Sequence, residues 1–188
     1  MDPYSFNFSW GDSEEEKVAR QLGMLHDQIL FEGPQKIAGI IMEPITGSNG
    51  WLRLNQEYFQ GVRALCDQYG IMLIADEVMS GFYRTGPLFS FQHFEGVQPD
   101  MVTFAKGVSS AYIPFSGVGM SQEIFDHFRT NALGIGSTYA AHPVACASAY
   151  ATMKHMLEMD MPNQVMNVAE PVMQEELAKI IENHPSAK

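Results

Sequence analysis

The chain has 188 residues, 46% of them hydrophobic, enough for one domain with a sizeable core. Its 11 Lys and Arg stand against 22 Asp and Glu, a formal net charge of -11, and no basic cluster interrupts that balance. Nucleic acid and an anionic membrane surface are therefore excluded as partners, which leaves small-molecule chemistry.

Residues 1–12 are aromatic and polar without a period and read as a loop, with Tyr4, Phe6, Phe8 and Trp10 as packing residues. Met1-Asp-Pro-Tyr-Ser-Phe lacks the basic region and apolar core of a signal peptide, so the expected location is the cytoplasm. Without a secretory signal, the Asn7-Phe8-Ser9 sequon reads as chance. Ser13 and Glu16 have capping-box spacing, and Val18, Leu22, Leu25 and Ile29 repeat at helical intervals behind them. Gly33-Pro34 ends that helix, and Ile37–Met42 reads as a short strand buried on both faces. Glu43-Pro44 and the Gly47–Gly50 turn follow.

Tyr58, Phe59, Val62, Leu65, Cys66 and Tyr69 make the apolar face of a second helix, ended by Gly70. A strand over 71–75 comes next, and helix, strand, helix, strand is the order of crossovers in a parallel sheet. A long loop, 76–99, separates it from a strand over 101–105; loops of that length are functional or contain short helices. Ser116–Met120 reads as a further short strand, with Ser121 capping the helix after it. Pro143 fits the first turn of a helix to about residue 160, and Pro171 should kink or split a last helical segment, 163–183. Cys66 and Cys146 both lie in apolar helical patterns and are expected as buried free thiols. The six His residues (26, 93, 127, 142, 155 and 184) show no metal spacing and read as structural.

Asp76 and Lys106 each close an apolar run, Ile71–Ala75 and Met101–Ala105. In an open parallel sheet, ligands sit in the crevice outside the carboxyl ends of the strands. An acid and an amine there, on strands ~4.8 Å apart, reach opposite sides of one small aromatic cofactor. Pyridoxal phosphate has that requirement: its ring nitrogen needs a carboxylate and its aldehyde a lysine. Strand 101–105 and Phe104 offer an apolar setting that would activate the amine. Each residue also has a plainer reading: Lys106 as a solvated strand end, Asp76 as a loop cap, Glu77 as a surface charge and Thr138 as a helix-entry residue.

Four stretches together carry a family resemblance: Ile74-Ala-Asp-Glu-Val78, Gly81-Phe-Tyr-Arg-Thr-Gly86, Pro99-Asp100 leading to Phe104-Ala-Lys-Gly107, and Ser137-Thr-Tyr-Ala-Ala-His-Pro143. With Glu43-Pro44 added, the chain resembles the class III aminotransferases of fold type I. The resemblance implies an α/β fold, a mainly parallel sheet with flanking helices, and a pyridoxal-phosphate-dependent homodimer. By the same resemblance, Lys106 forms the Schiff base and shuttles the proton, Asp76 pairs with the pyridine nitrogen, and Val78 packs on the ring. Thr138 would bind the cofactor phosphate, usually that of the partner subunit, and Glu43 lies near the site without an assigned role.

Family members are more than twice as long, so residues 1–188 are expected to form part of a cofactor-binding large domain. By the same resemblance, the family's upstream phosphate-seating turn and C-terminal small domain are expected to fall outside these residues. Met79 stands where many relatives carry glutamine, and Ser48 where some carry glutamate. These departures, with the Ser110-Ala-Tyr-Ile-Pro114 stretch, are similar to enzymes passing an amino group from taurine, an ω-amino acid or an amine to pyruvate. Two other readings stand beside it: a non-catalytic structural or interaction module, and a mutase, epimerase or decarboxylase on the same core.

Overall fold

The computed structural model describes residues 13–184. The loop expected over residues 1–12, its aromatic side chains and the sequon lie outside the described residues. Ser13 caps α1 (Glu14–Glu32), its hydroxyl accepting from the Glu16 amide at 3.2 Å. Asn55 does the same for α2 (Gln56–Tyr69), accepting from the Tyr58 amide at 3.1 Å. Gly70 ends α2 in the left-handed region, φ 65°, where glycine is unstrained.

Four short strands form one sheet in sequence order: β1 (Gly39–Met42), β2 (Met72–Asp76), β3 (Met101–Phe104) and β4 (Gly117–Met120). β1 and β3 pair with β2 in parallel, and β4 returns antiparallel to β3. Asp76 stands opposite Thr103, which sets the register at the carboxyl edge. Asp100, just before β3, fastens the opposite, amino-terminal edge, one carboxylate oxygen accepting from the Leu73 amide and from Arg63 Nη1, each at 2.7 Å.

The main core lies between α1, α2 and one face of the sheet, around Ile29, Phe59, Val62, Cys66, Leu73 and Ala75. A second cluster of Phe82, Val108 and Ala149 ties the loop after β2 to α4 (Pro143–Glu158). β1 corrects the expectation of a strand buried on both faces: Ile41 is 57% exposed. β1 is an edge strand, and the helices that bury Leu73 cover only one face of the sheet.

Past Ser121 the chain forms α3 (Gln122–Thr130), α4, and a last helical segment made of α5 (Met161–Asn163), a π-helical stretch Gln164–Ala169 and α6 (Glu170–Asn183). Pro171 sits in the first turn of α6. Proline lacks the amide that would continue a regular helix, and the wide π stretch just before it takes up the mismatch. Cys66 is buried but Cys146 is exposed, a second correction: apolar periodicity marks a helix face, not what covers it. No helix among the described residues is long and apolar enough to cross a membrane.

Candidate active site

β2 and β3 are adjacent and parallel, so their carboxyl ends open on the same edge. Asp76 ends β2, half-buried, and one of its oxygens accepts the Val78 amide at 3.0 Å. Lys106 begins the turn two residues past β3 and has φ 44°, in the left-handed region. Such a conformation costs a non-glycine residue about 1–3 kcal/mol and concentrates at functional sites. Phe82 (φ 57°) and Tyr83 (φ 65°), in the facing loop, are strained likewise. Gly107 lets the two strained segments meet, since a Cβ there would stand 2.9 Å from Phe82 Cβ.

Lys106 Nζ donates to the Met79 thioether at 2.7 Å and has no carboxylate in ion-pair range among the described residues. Lys106 itself is exposed, which corrects the expectation of an apolar setting. Phe104 turns into the aromatic cluster with Phe82 and Phe89, its ring centroid 5.5 Å from that of Phe82, rather than covering the amine.

Glu43, without a role from sequence, accepts the Gly47 amide at 2.8 Å. Gly47 packs on Met79 so closely that a Cβ there would stand 2.5 Å from Met79 Cγ. Contacts therefore run from Glu43 at the end of β1, through Gly47 and Met79, to the Lys106 amine.

Glu77 reverses its plainer reading as a surface charge: it is 0% exposed. Its carboxylate accepts from Ser80 Oγ at 2.8 Å, Ser90 N and Oγ at 2.9 Å each, and Phe91 N at 2.7 Å. A buried carboxylate persists only when so fully satisfied. Sequence reasoning missed it because two of its partners, Ser90 and Phe91, lie 13 and 14 residues away in a short 3-10 turn, Ser90–His93.

Thr138 lies in an exposed turn, apart from the Asp76–Lys106 edge in sequence and five residues before α4. Its neighbours Ser137 and Tyr139 line a cavity of about 820 Å³ with Ile113, Pro114, Phe115 and His142. That cavity includes neither Asp76 nor Lys106, so its size does not mark it as the reaction centre. Among the described residues no three His, Cys, Asp or Glu side chains cluster as metal ligands. His26 Nε2 is 2.7 Å from Tyr69 Oη and His93 Nε2 is 2.8 Å from the Thr85 carbonyl oxygen, so both rings have structural partners.

The donor set fits pyridoxal phosphate. Among the described residues, Asp76 keeps one oxygen without a hydrogen bond, the Thr103 hydroxyl opposite it is buried with no partner, and a lysine without a counter-ion stands past the neighbouring strand. A mostly parallel sheet with flanking helices, carrying a carboxylate and an amine at one edge, has the α/β fold of pyridoxal-phosphate transferases. The class-III aminotransferase family model matches residues 3–188, and the chain belongs to that family, whose members depend on pyridoxal phosphate.

Gamma-aminobutyrate transaminase 1, mitochondrial, of Oryza sativa is 40% identical over 164 residues, 85% of this chain and 32% of the relative. Gamma aminobutyrate transaminase 2 of Solanum lycopersicum is 37% identical over 187 residues, 96% of this chain and 40% of the relative. Among solved structures, the taurine:2-oxoglutarate aminotransferase of Bifidobacterium kashiwanohense, in complex with PLP and glutamate, superposes with a TM-score of 0.91 at 41% identity. The match covers 98% of this chain and 41% of that one. An (S)-enantioselective omega-transaminase from Thermomicrobium roseum gives 0.86 at 40% identity, covering 96% of this chain and 40% of that one. The chain thus spans about a third of the length of the first curated relatives it matches. Relatives named for 4-aminobutyrate and for taurine are similarly close, so identity alone does not divide the amino donors.

Proposed function

We propose that this chain carries the central part of an aminotransferase site that moves the amino group of an ω-amino acid or amine to a pyruvate-type 2-oxo acid. The reading rests on Asp76 and Lys106 lying at the carboxyl ends of adjacent parallel strands. Bound there, pyridoxal phosphate supplies an electron sink for a carbanion at the substrate carbon. The free oxygen of Asp76 accepts the ring N–H and holds its proton in place. Lys106 Nζ would hold the cofactor's aldehyde and would move the proton at the substrate carbon. Val78 packs on the ring face. The exposed Thr138 hydroxyl holds the phosphate of a cofactor seated in a second copy, which makes the working unit a homodimer.

The test is direct: add pyridoxal phosphate, reduce with borohydride, digest, and locate the added pyridoxyl mass. It is expected on the peptide containing Lys106 and absent from Lys106→Ala. Labelling elsewhere, or none, overturns the reading. Profiling amino donors with pyruvate as acceptor then separates transamination from mutase, epimerase or decarboxylase chemistry.

One observation favours a second reading, a structural or interaction module without turnover. Tyr150, Leu157, Val172, Leu177 and Ile181 on α4 and α6 are exposed apolar residues, a surface of the kind that binds partners or aggregates. A yellow dimer on size exclusion supports the enzyme; a colourless aggregate or hetero-complex supports the module.

A further inference from the structure

We propose that Glu77 is a positioning residue, whose buried carboxylate clamps the turn after β2 and thereby aims the Asp76 carboxylate into the crevice. Its bearing on the cofactor rests on the function proposed above; the clamp itself does not.

Glu77 is the one residue between the two that would face the ring, Asp76 and Val78. Its backbone is pinned at both ends: its amide donates to the Thr103 carbonyl on β3 at 2.9 Å, and its own carbonyl accepts the Gly81 amide at 2.9 Å. Its side chain reaches the opposite way, to two backbone amides and two hydroxyls. The strand end, the neighbouring strand, the 77–81 turn and the 3-10 turn at Ser90–His93 thus meet in one residue.

With those groups fixed, rotation about the Asp76–Glu77–Val78 backbone is closed off, and the Val78 amide stays 3.0 Å from Asp76 Oδ1. That bond occupies one carboxylate oxygen and so selects which oxygen remains for the ring nitrogen. A glutamine at 77 has the same shape but one acceptor oxygen, and its amide group would face donors. At least one of the four donors is then left unsatisfied, and the turn must open.

The experiment compares Glu77→Gln and the milder Ser90→Ala with Val62→Ala, a core variant that lowers stability without touching the turn. Two readouts are taken on the full chain: amide hydrogen exchange at Val78 relative to Leu73, and the absorbance titration with pyridoxal phosphate. Glu77→Gln is expected to speed Val78 exchange by about tenfold more than Leu73 exchange and to weaken cofactor uptake about tenfold, the size of one unmade buried hydrogen bond. Ser90→Ala should move both in the same direction by less, and it decides the matter should Glu77→Gln not fold. Val62→Ala should move the two exchange rates together and leave the titration unchanged.

Equal acceleration at Val78 and Leu73 in the turn variants would overturn the clamp, as would a titration that follows stability alone across all three variants. If the parent chain takes up no pyridoxal phosphate, the proposed function fails, while the Val78 exchange ratio still decides whether Glu77 holds Asp76.

Discussion

Replacing Gly47 with alanine tests the contact path that reaches the Lys106 amine. Gly47 is outside the left-handed region, so alanine meets no backbone strain and the whole effect is one of contact. The new Cβ would stand 2.5 Å from Met79 Cγ, 2.9 Å from Met79 Cβ and 3.1 Å from Met79 Cε. Carbon atoms pack best at about 3.5–4.0 Å, so the first overlap is about 1 Å. The Met79 tip can swing away, but its Cβ is fixed by the backbone. Either the turn that Glu43 holds must retreat or the 77–81 turn must shift.

Overpacking of this kind costs about 1–3 kcal/mol, read as a lower urea midpoint by circular dichroism at unchanged slope. Met79→Ala removes Cγ and Cε and leaves only the 2.9 Å approach. Gly47→Ala should therefore cost less in that background, with a coupling of about 1 kcal/mol or more in the double-mutant cycle. Strict additivity, or a neutral Gly47→Ala, would refute the reasoning.

Asp100→Asn should destabilise by about 1–2 kcal/mol, because it leaves the half-buried Arg63 with only the exposed Asp67 as charge partner and weakens the bond to the Leu73 amide; an unfolding curve checks it. Burial pushes the Cys66 thiol from its ordinary 9.0 up to about 11, and the Tyr58 hydroxyl from 10.0 to about 12. Both groups are neutral when protonated, so the folded chain keeps protons that the unfolded chain releases. Stability should be full below about pH 9 and fall as pH rises through 9–12, by about 3 kcal/mol for Cys66 alone; a urea series against pH reads it, and a flat profile contradicts the burial. Cys146 should react with a thiol reagent within mixing time and Cys66 only on unfolding, as a mass-resolved labelling course would show.

Local chemistry wrote much of this fold into the chain. Ser13, Gly70, Ser121 and Pro143 each act within a turn of themselves, so both caps, the αL stop and the proline start were legible from spacing alone. The strand-closing Asp76 and Lys106 were legible too, since a polar residue ending an apolar run marks a sheet edge whatever lies next to it. Burial was less so: Ile41 and Cys146 sit in apolar patterns, yet a pattern records which side a residue faces and not what covers that side.

Pairing at a distance belonged to the tertiary structure. Glu77 and Ser90, Gly47 and Met79, and Asp100 and Leu73 are between 13 and 32 residues apart, and nothing in their local sequence distinguishes a buried clamp from a solvated charge. A carboxylate's role is decided by which donors reach it, and only the closed chain brings those donors within 3 Å. Sequence thus determined the elements and the carboxylate and amine at the ends of two of them; folding alone decided how those groups are held, because hydrogen bonds and close packing act over ångströms in space and take no account of separation along the chain.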